Sequence, residues 1–347
     1  MDNQKAVIVG ISGCSSSGKT TLARLLRDIF PHTFILHEDD FYKPEEQLPI
    51  KEGLADWDCP EAISIPDMEN ALSHIRSTGT FPVSLLLTTT TTSTSSTSSS
   101  TTTTNTNPTS KISGRPSLSH RHNHGCHLTL TTASSSIIPP PSSDQKCSPS
   151  YPLIQPGFPL KQPISSKEDK NTIGQCPVSS AQIDAAKSKV SAWLAPNQPG
   201  ALIFSRPLKV CLLDGFLLYS PDHLPTIMPL IDIKLFLLVS RAKATQRREA
   251  RDGYVTLEGF WTDPPGYVDK IVWPNYAAEH AWLFENANVE DETKLDKEKM
   301  QRYGIEAQTG KGLDIDFGET LHWAVETIMH ELERIVLGQQ GGESESK

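Results

Sequence analysis

The sequence predicts an α/β fold with a doubly wound parallel sheet and helices on both faces of that sheet. An apolar, β-branched run at residues 6–11 leads into a Gly/Ser-rich loop, and a helical pattern follows at residues 20–29. Further apolar runs of strand length at residues 33–37, 209–214 and 231–239 alternate with helical patterns. Alternating strands and helices form crossover units, and these units build one parallel sheet that helices cover on both sides.

The helical patterns place apolar residues at helical spacing. In chain order they cover residues 20–29, 65–75, 181–194, 243–251, 268–285 and 321–336. Pro66 lies near the start of the second pattern, a position that proline favours in helices. Residues 289–312 are charged and show no period, so they predict no element.

The composition changes abruptly near Pro82. Every residue from 88 to 104 is Ser or Thr, and a Ser/Pro-rich stretch continues to about residue 175. Such a segment cannot bury enough apolar surface to offset its ordering entropy. We therefore expect residues 83–180 to be a disordered insert in a single domain formed by residues 1–82 and 181–338, with a flexible tail at 339–347.

The insert is a candidate for binding unknown protein partners. It also holds a histidine-rich run between His120 and His127, whose residue types bind zinc or copper. The low-complexity setting favours chance composition over a metal site.

Charge and cysteine content exclude several classes of protein. The formal net charge is -9, and residues 83–180 carry seven Lys/Arg against three Asp/Glu, so the rest of the chain is more acidic than the whole. This balance argues against a nucleic-acid partner. The six cysteines form no C-x-x-C pair, and the sequence shows neither a signal-peptide pattern nor a membrane-length apolar run. We expect a soluble cytoplasmic protein without a membrane partner, with the nucleus as a second location.

The loop after the first strand fits the phosphate-binding pattern G-x-x-x-x-G-K-[ST], which is typical of P-loop NTPases. Its backbone N–H groups and the following helix N-terminus would bind ATP phosphates. Lys19 would reach the β- and γ-phosphates, and the Thr20 hydroxyl would bind Mg²⁺. The candidate ATP-binding residues are Gly13, Cys14, Ser15, Ser16, Ser17, Gly18, Lys19, Thr20 and Thr21.

Carboxylates and arginines elsewhere in the chain extend this prediction to phosphoryl transfer. Asp39 and Asp40 follow the second strand, and Asp39 is the candidate base for an acceptor hydroxyl and a candidate metal ligand. Asp214 ends an apolar run of the Walker B type, so it is a candidate for the Mg²⁺ shell. A basic lid segment carries Arg247, Arg248 and Arg251 as candidate phosphate and substrate contacts. Helix capping by the two aspartates and a solvated face for the arginines are the plainer alternatives.

Six motifs together resemble the nicotinamide riboside kinases, a branch of the uridine-kinase-like P-loop kinases. They are G-I-S-G-x-x-x-S-G-K-T-T-L-A at 10–23, D-D-F-Y-K-P at 39–44, W-D-x-x-E-A at 57–62, D-G-F-L-L at 214–218, R-R-x-x-R at 247–251 and P-G-Y-x-x-x-x-V-W-P at 265–274. The resemblance implies phosphorylation of the 5′-hydroxyl of nicotinamide riboside with ATP and Mg²⁺, for NAD biosynthesis. Nicotinic acid riboside is an implied second substrate.

The resemblance also implies roles for individual residues. Asp39 corresponds to the base proposed for the family, and the neighbouring Asp40 would also bind the substrate. Asp58 would bind the ribose hydroxyls, Arg248 the substrate, and Arg247 and Arg251 the phosphates. Trp57 would stack on the pyridine ring, and Tyr254 would supply its other face, although ordinary packing is the alternative for Trp57. At position 214 the family usually carries Glu.

Two other functions stay open from the sequence. A uridine or cytidine kinase would share the fold and the mechanism, but its pyrimidine-binding aromatic and histidine set is not found. A non-catalytic nucleotide-binding scaffold would have no need of the acceptor-side acid Asp39.

Overall fold

The computed structural model describes residues 4–85, 176–251, 253–255 and 260–338, and these fall in one compact unit. In chain order its strands are β1 (Ala6–Gly13), β2 (Thr33–His37), β3 (Ile50–Lys51), β4 (Leu54–Ala55), β5 (Lys209–Asp214), β6 (Ile233–Leu237), β7 (Tyr254–Val255), β8 (Phe260–Trp261) and β9 (Ile305–Ala307). The helices are α1 (Lys19–Ile29), α2 (Ile65–Thr78), α3 (Ser180–Trp193), α4 (Pro199–Phe204), α5 (Arg241–Glu249), α6 (Trp273–His280), α7 (Lys297–Tyr303) and α8 (Phe317–Leu332).

Five strands form a parallel sheet in the order β2-β5-β1-β6-β9. Every residue of the central strand β1 is buried, which explains its continuous apolar run. Strands β5 and β6 lie on opposite sides of β1, so the loop after β1 lies where the strand order reverses. Open α/β sheets bind ligands at this point, beyond the carboxyl ends of their strands.

Two apolar layers cover the sheet, one on each face. One layer contains buried side chains of α1, α3 and α8, including Leu22, Val190 and Leu321. The other contains buried side chains of α2 and α6, including Leu72 and Tyr276. The predicted α/β fold with helices on both faces is therefore confirmed.

The strongest difference from the prediction lies in residues 289–312, which contain α7 and the fifth strand β9. Asp296 caps the start of α7 by accepting from the Lys299 N–H, and Gly304 ends it at φ 61°. Strand β9 has only three residues and pairs with β6 alone at the sheet edge. A strand this short is too brief to produce a recognisable period in the sequence.

Other boundaries shift for local reasons. Helix α5 begins at Arg241, two residues before the predicted start, because the Ser240 side chain caps it. The predicted helix over 268–285 is divided into a π-helical turn at Val268–Val272, then α6, then a 3₁₀ turn at Ala281–Leu283. No helix in the described parts of the chain is long and apolar enough to cross a membrane.

The folded unit resumes a few residues before the predicted end of the insert. Val178 is buried, and Ser179 forms a capping box with Gln182 at the start of α3. The rest of the predicted insert from residue 86, the run between His120 and His127, and the tail at 339–347 lie outside the described residues. The predictions made for them stay predictions.

Candidate active site

The phosphate loop joins β1 to α1 through two glycines that no other residue could replace without strain. Gly13 has φ 144°, and a Cβ there would lie 2.4 Å from the Leu237 carbonyl oxygen. Gly18 has φ 106°, and a Cβ there would lie 2.4 Å from the Phe317 ring. The fixed glycines of the motif are therefore required both by backbone conformation and by the close approach of β6 and α8.

The loop directs polar groups toward the α1 N-terminus. The Lys19 ammonium folds back and donates to the Cys14 carbonyl oxygen at 3.0 Å. The hydroxyls of Ser16 and Ser17 are buried and have no hydrogen-bond partner in the described structure. Burial raises the pKa of the Cys14 thiol to about 12, so this cysteine contributes its backbone and not a thiolate. This arrangement suits a bound phosphate, which would accept from the loop and from Lys19.

Thr20, Asp214 and His37 meet at the carboxyl ends of β2 and β5. The Thr20 hydroxyl donates to Asp214 Oδ2 at 2.5 Å, and His37 Nδ1 lies 3.2 Å from the same oxygen. Burial alone would raise the pKa of Asp214, but the hydrogen bond and charge of His37, with Lys19 nearby, lower it. Burial alone would lower the pKa of His37, and Asp214 outweighs that effect and raises it. Asp214 is thus a carboxylate beside the phosphate loop.

The oxygen atoms of Thr20 and Asp214 fit Mg²⁺, which prefers hard oxygen ligands and keeps several waters. Among the residues that the structure describes, no group of three or more His, Cys, Asp or Glu could hold a metal ion by itself. A site of one hydroxyl and one carboxylate is consistent with that finding, because ATP phosphates and water would complete the shell.

Asp39 and Asp40 lie in a 3₁₀ turn, Glu38–Phe41, that directly follows β2. Asp39 is exposed and Asp40 is half-buried. Burial raises the pKa of the neighbouring Tyr42 phenol well above its usual value, and the negative charges of Asp39 and Asp58 add to the effect. Tyr42 is therefore close to both the candidate base and the candidate ribose-binding carboxylate.

Arg248 on α5 connects the predicted substrate residues to the phosphate loop. Its buried guanidinium donates to Asp58 Oδ1 at 3.1 Å, to both oxygens of Asp263 at 2.6 and 3.1 Å, and to the Ser15 hydroxyl at 2.7 Å. It also lies over the Tyr267 ring, 5.3 Å from the centroid. Burial raises the pKa of Asp58, and Arg248 opposes this shift. Asp58 and Arg248, which the resemblance implies as separate substrate contacts, are paired with each other, and Asp263 is a third member of the group that the sequence pattern does not predict.

Two residues of the 265–276 segment, Asn275 and Tyr267, form hydrogen bonds with the loop that carries Trp57 and Asp58. The Asn275 amide donates to both oxygens of Asp56 at 2.9 and 2.8 Å. The Tyr267 hydroxyl accepts from the Trp57 N–H at 3.2 Å and donates to the Ala55 carbonyl oxygen at 3.0 Å. These bonds fix the backbone from which Trp57 and Asp58 project.

Trp57 belongs to an aromatic cluster with Tyr42, Trp261 and Tyr267. Its ring centroid lies 5.3 Å from Tyr42 and 6.2 Å from Trp261, and Trp261 lies 6.1 Å from Tyr267. The Trp261 indole also donates to Asp263 Oδ1 at 2.9 Å. Trp261 is therefore the second large ring against Trp57. The side chain of Tyr254, which the resemblance suggested for the other face of the pyridine ring, lies outside the described structure, although its backbone pairs with Trp261.

Arg247 approaches the phosphate loop from α5. Its guanidinium donates to the carbonyl oxygens of Ser17 and Ser16 at 3.1 and 3.4 Å, whereas Arg251 is exposed. A cavity beside the loop is lined by residues that include Ser17, Arg247, Gln308, Asp314, Ile315 and Phe317.

The structure brings most of the predicted residues to one edge of the sheet. Their roles in binding and catalysis remain predictions, since the geometry places side chains but not substrates. Trp261 and Asp263 could not be found from the sequence by their own pattern. Both lie close to the P-G-Y motif, and that proximity was the available signal.

Comparison with known proteins finds relatives named nicotinamide riboside kinase. No protein-family model matches the chain. A protein named nicotinamide riboside kinase from Schizosaccharomyces pombe is 27% identical over 330 residues, which cover 95% of this chain and 99% of that protein. Its namesake from Saccharomyces cerevisiae is 25% identical over 84% of each chain. Human nicotinamide riboside kinase 1 is 41% identical over 70 residues, which cover 20% of this chain and 35% of that protein. Over most of its length, this chain is thus similar to fungal proteins named nicotinamide riboside kinase.

Proposed function

We propose that this protein transfers the γ-phosphoryl group of ATP to the 5′-hydroxyl of nicotinamide riboside, forming the mononucleotide for NAD biosynthesis. The observation that carries the proposal is the position of Arg248. This one buried side chain bonds both to Ser15 of the phosphate loop and to Asp58 and Asp263 of the candidate riboside site. The similarity to the two fungal proteins named nicotinamide riboside kinase supports both the reaction and the substrate.

The phosphate loop binds the donor. Its N–H groups and Lys19 hold the β- and γ-phosphates, and the cavity between Arg247 and Phe317 receives the nucleoside. Arg247 and Arg251 place positive charge on the transferring phosphoryl group, which carries its negative charge on three equatorial oxygens. These groups stabilise the transition state without a covalent intermediate.

The acceptor side positions the ribose and its 5′-hydroxyl. Asp58 accepts hydrogen bonds from the ribose hydroxyls, Asp40 lies beside the substrate, and Asp39 accepts the proton of the attacking hydroxyl. Trp57 stacks on the pyridinium ring, with Trp261 next to it. A positively charged ring gains cation–π attraction of about 0.5–2 kcal/mol on such a surface, which a neutral uracil ring lacks.

Mg²⁺ is part of the proposal because the donor set fits it. Thr20 and Asp214, with Asp39 as the third candidate ligand, would hold the ion beside the phosphates. When bound, the ion neutralises phosphate charge. Asp214 is one carbon shorter than the glutamate usual in the family, so it would reach the ion through water.

A coupled assay of ADP release with purified protein, ATP and Mg²⁺ tests this function. Nicotinamide riboside and nicotinic acid riboside should be phosphorylated, with higher kcat/KM than uridine or cytidine. Uridine as the best substrate would instead assign the chain to the pyrimidine nucleoside kinases. Absence of turnover with all four ribosides, with ATP still bound, would favour a nucleotide-binding scaffold.

A further inference from the structure

Glu38 is a fully buried carboxylic acid between two of the proposed functional carboxylates. It follows His37 at the end of β2 and directly precedes Asp39. His37 is the register partner of Asp214 across the sheet, so Glu38 also lies beside the end of β5. Glu38 is the first of three consecutive acidic residues, and it is buried. Burial of a carboxylate carries a desolvation cost, so the position of Glu38 needs a physical explanation.

One oxygen of Glu38 holds the backbone that follows Asp214. Oε2 accepts from the Phe216 N–H at 2.6 Å and from the Leu217 N–H at 3.1 Å. Each of these amides would otherwise be a donor at a strand end without a strand partner. Glu38 thus connects the turn that carries Asp39 to the turn that begins at Asp214.

Gly215 shows how closely these two turns approach. A Cβ at position 215 would lie 2.6 Å from Leu218 Cδ2, 2.7 Å from Glu38 Oε2 and 2.8 Å from Glu38 Cβ. The glycine of the D-G-F motif therefore makes room for the Glu38 side chain, and the two positions form one contact.

The other carboxylate oxygen of Glu38, Oε1, is buried without a hydrogen bond among the described residues that would offset its desolvation. His223 Nδ1 lies 4.0 Å from it. An apolar residue of the same size would avoid the desolvation of this oxygen. Burial of the side chain alone therefore does not explain why this position carries a glutamate. The two backbone hydrogen bonds that Oε2 accepts do explain it.

We propose that Glu38 is a positioning residue that fixes the acceptor-side acid Asp39 relative to the metal-side acid Asp214, by holding the 215–217 backbone against the end of β2. Glu38 itself touches no substrate. The inference rests on the proposed kinase function for its catalytic consequence, and on geometry for the backbone contact. A shift of about 1 Å between such groups can cost on the order of 10²-fold in rate.

Three variants of the full-length protein test this role. Glu38→Gln keeps an acceptor oxygen for the two amides, so its kcat should stay within about threefold of wild type. Glu38→Met keeps the length and removes the acceptor, so its kcat should fall by about 10- to 100-fold while the ATP affinity changes less than about threefold. Gly215→Ala should reproduce the loss from the opposite side of the same contact.

Asp232→Ala is the matched control. Asp232 is another carboxylate whose side chain is largely buried, and it accepts a backbone N–H, from Ile8 at 2.8 Å, but it precedes β6 at the amino ends of the strands. The Asp232→Ala variant should have a lower melting temperature and a kcat within about twofold of wild type. A variant that is less stable but still active distinguishes a loss of positioning from general destabilisation.

Hydrogen exchange of the Phe216 and Leu217 amides provides a readout that does not depend on turnover. These amides should be protected in wild type and in Glu38→Gln, and should exchange faster in Glu38→Met. Unchanged protection in Glu38→Met, an unchanged kcat in that variant, or an equal loss of kcat in Glu38→Gln would each overturn the inference. A wild-type protein that phosphorylates no riboside would contradict the proposed function instead, and the exchange result would still decide the contact.

Discussion

The Arg248 guanidinium donates to the Ser15 hydroxyl at 2.7 Å, which connects helix α5 to the phosphate loop. The same guanidinium is paired with two carboxylates of the candidate riboside site. One planar group therefore contacts both the phosphate loop and the candidate riboside site. Arginine suits this position because its donors point in fixed directions, whereas lysine offers a single flexible charge.

Asp263 should contribute to riboside binding through Arg248 and Trp261. Asp263→Asn keeps the shape of the side chain and removes the charge that pairs with Arg248. We expect the KM for nicotinamide riboside to rise about tenfold, since a hydrogen bond between charged groups is stronger than a neutral one. The KM for ATP should change less than about threefold. Steady-state kinetics with each substrate varied in turn measure both values.

Asp269→Asn is the control for that prediction. Asp269 pairs with Arg241 on the same helix α5, but both side chains are largely exposed. Exposed ion pairs contribute about 0–1 kcal/mol, so this variant should have wild-type kinetics. Equal effects of the two substitutions would show that the Asp263 pair has no specific role.

The ring of Trp57 should separate a cationic substrate from neutral ones. Trp57→Leu removes the π face and retains much of the buried volume, whereas Trp57→Phe keeps an aromatic face. The leucine variant should lose about 10-fold in kcat/KM for nicotinamide riboside and less for uridine, because only the cationic ring gains cation–π attraction. The phenylalanine variant should fall between wild type and leucine. An equal loss for both substrates would remove the cation–π argument.

Gly18 should tolerate no side chain. Gly18→Ala places a methyl group 2.4 Å from the Phe317 ring at a backbone φ of 106°, which strains the start of α1. We expect loss of ATP binding together with a lower melting temperature. Gly338→Ala is the control, because a Cβ there meets open space in the last helical turn. Equilibrium ATP binding and thermal unfolding of both variants test the difference.

The buried pair of Glu38 and His223 predicts two opposite pH dependences of stability. Burial raises the pKa of Glu38 from 4.5 to about 8, so the folded state holds this proton more tightly than the unfolded state does. The stability that Glu38 contributes is complete below pH 4.5 and is lost as the pH rises through about 8. The free energy of unfolding of Glu38→Gln, relative to wild type, should therefore increase over this range.

Burial lowers the pKa of His223 from 6.5 to about 4, which reverses the sign. The folded state keeps His223 neutral, so its contribution is complete above pH 6.5 and is lost as the pH falls toward 4. His223→Gln should gain stability relative to wild type as the pH falls. Urea unfolding of both variants across these ranges tests the prediction, and differences that stay constant with pH would contradict it.

The sequence predicted those parts of the site in which chemistry and local structure coincide. The phosphate loop needs its glycines, Lys19 and Thr20 within one strand–loop–helix unit, so the motif located β1, α1 and the loop together. Asp39 was found because it lies just after an apolar run of strand length, and Asp214 was found because it ends such a run. These signals are local, and local signals are visible in a single sequence.

The parts that the sequence did not predict depend on tertiary contacts. Strand β9 exists because β6 offers an edge to pair with, and three residues carry no period of their own. Trp261 and Asp263 gain their roles from Trp57 and Arg248, which are distant in the chain. Glu38 lies in an acidic run that suggests exposure, and it is buried because the turn after β5 closes over it.

In the proposed reaction, Asp39 accepts the proton of the 5′-hydroxyl while ATP is bound at the phosphate loop. The most direct test is a single-turnover measurement of nicotinamide mononucleotide formation by Asp39→Asn, with ATP affinity measured on the same sample. We expect the rate of product formation to fall by about 10²-fold or more and the ATP affinity to change less than about threefold. A rate near that of wild type would contradict the claim and make Asp40 the next candidate for the base.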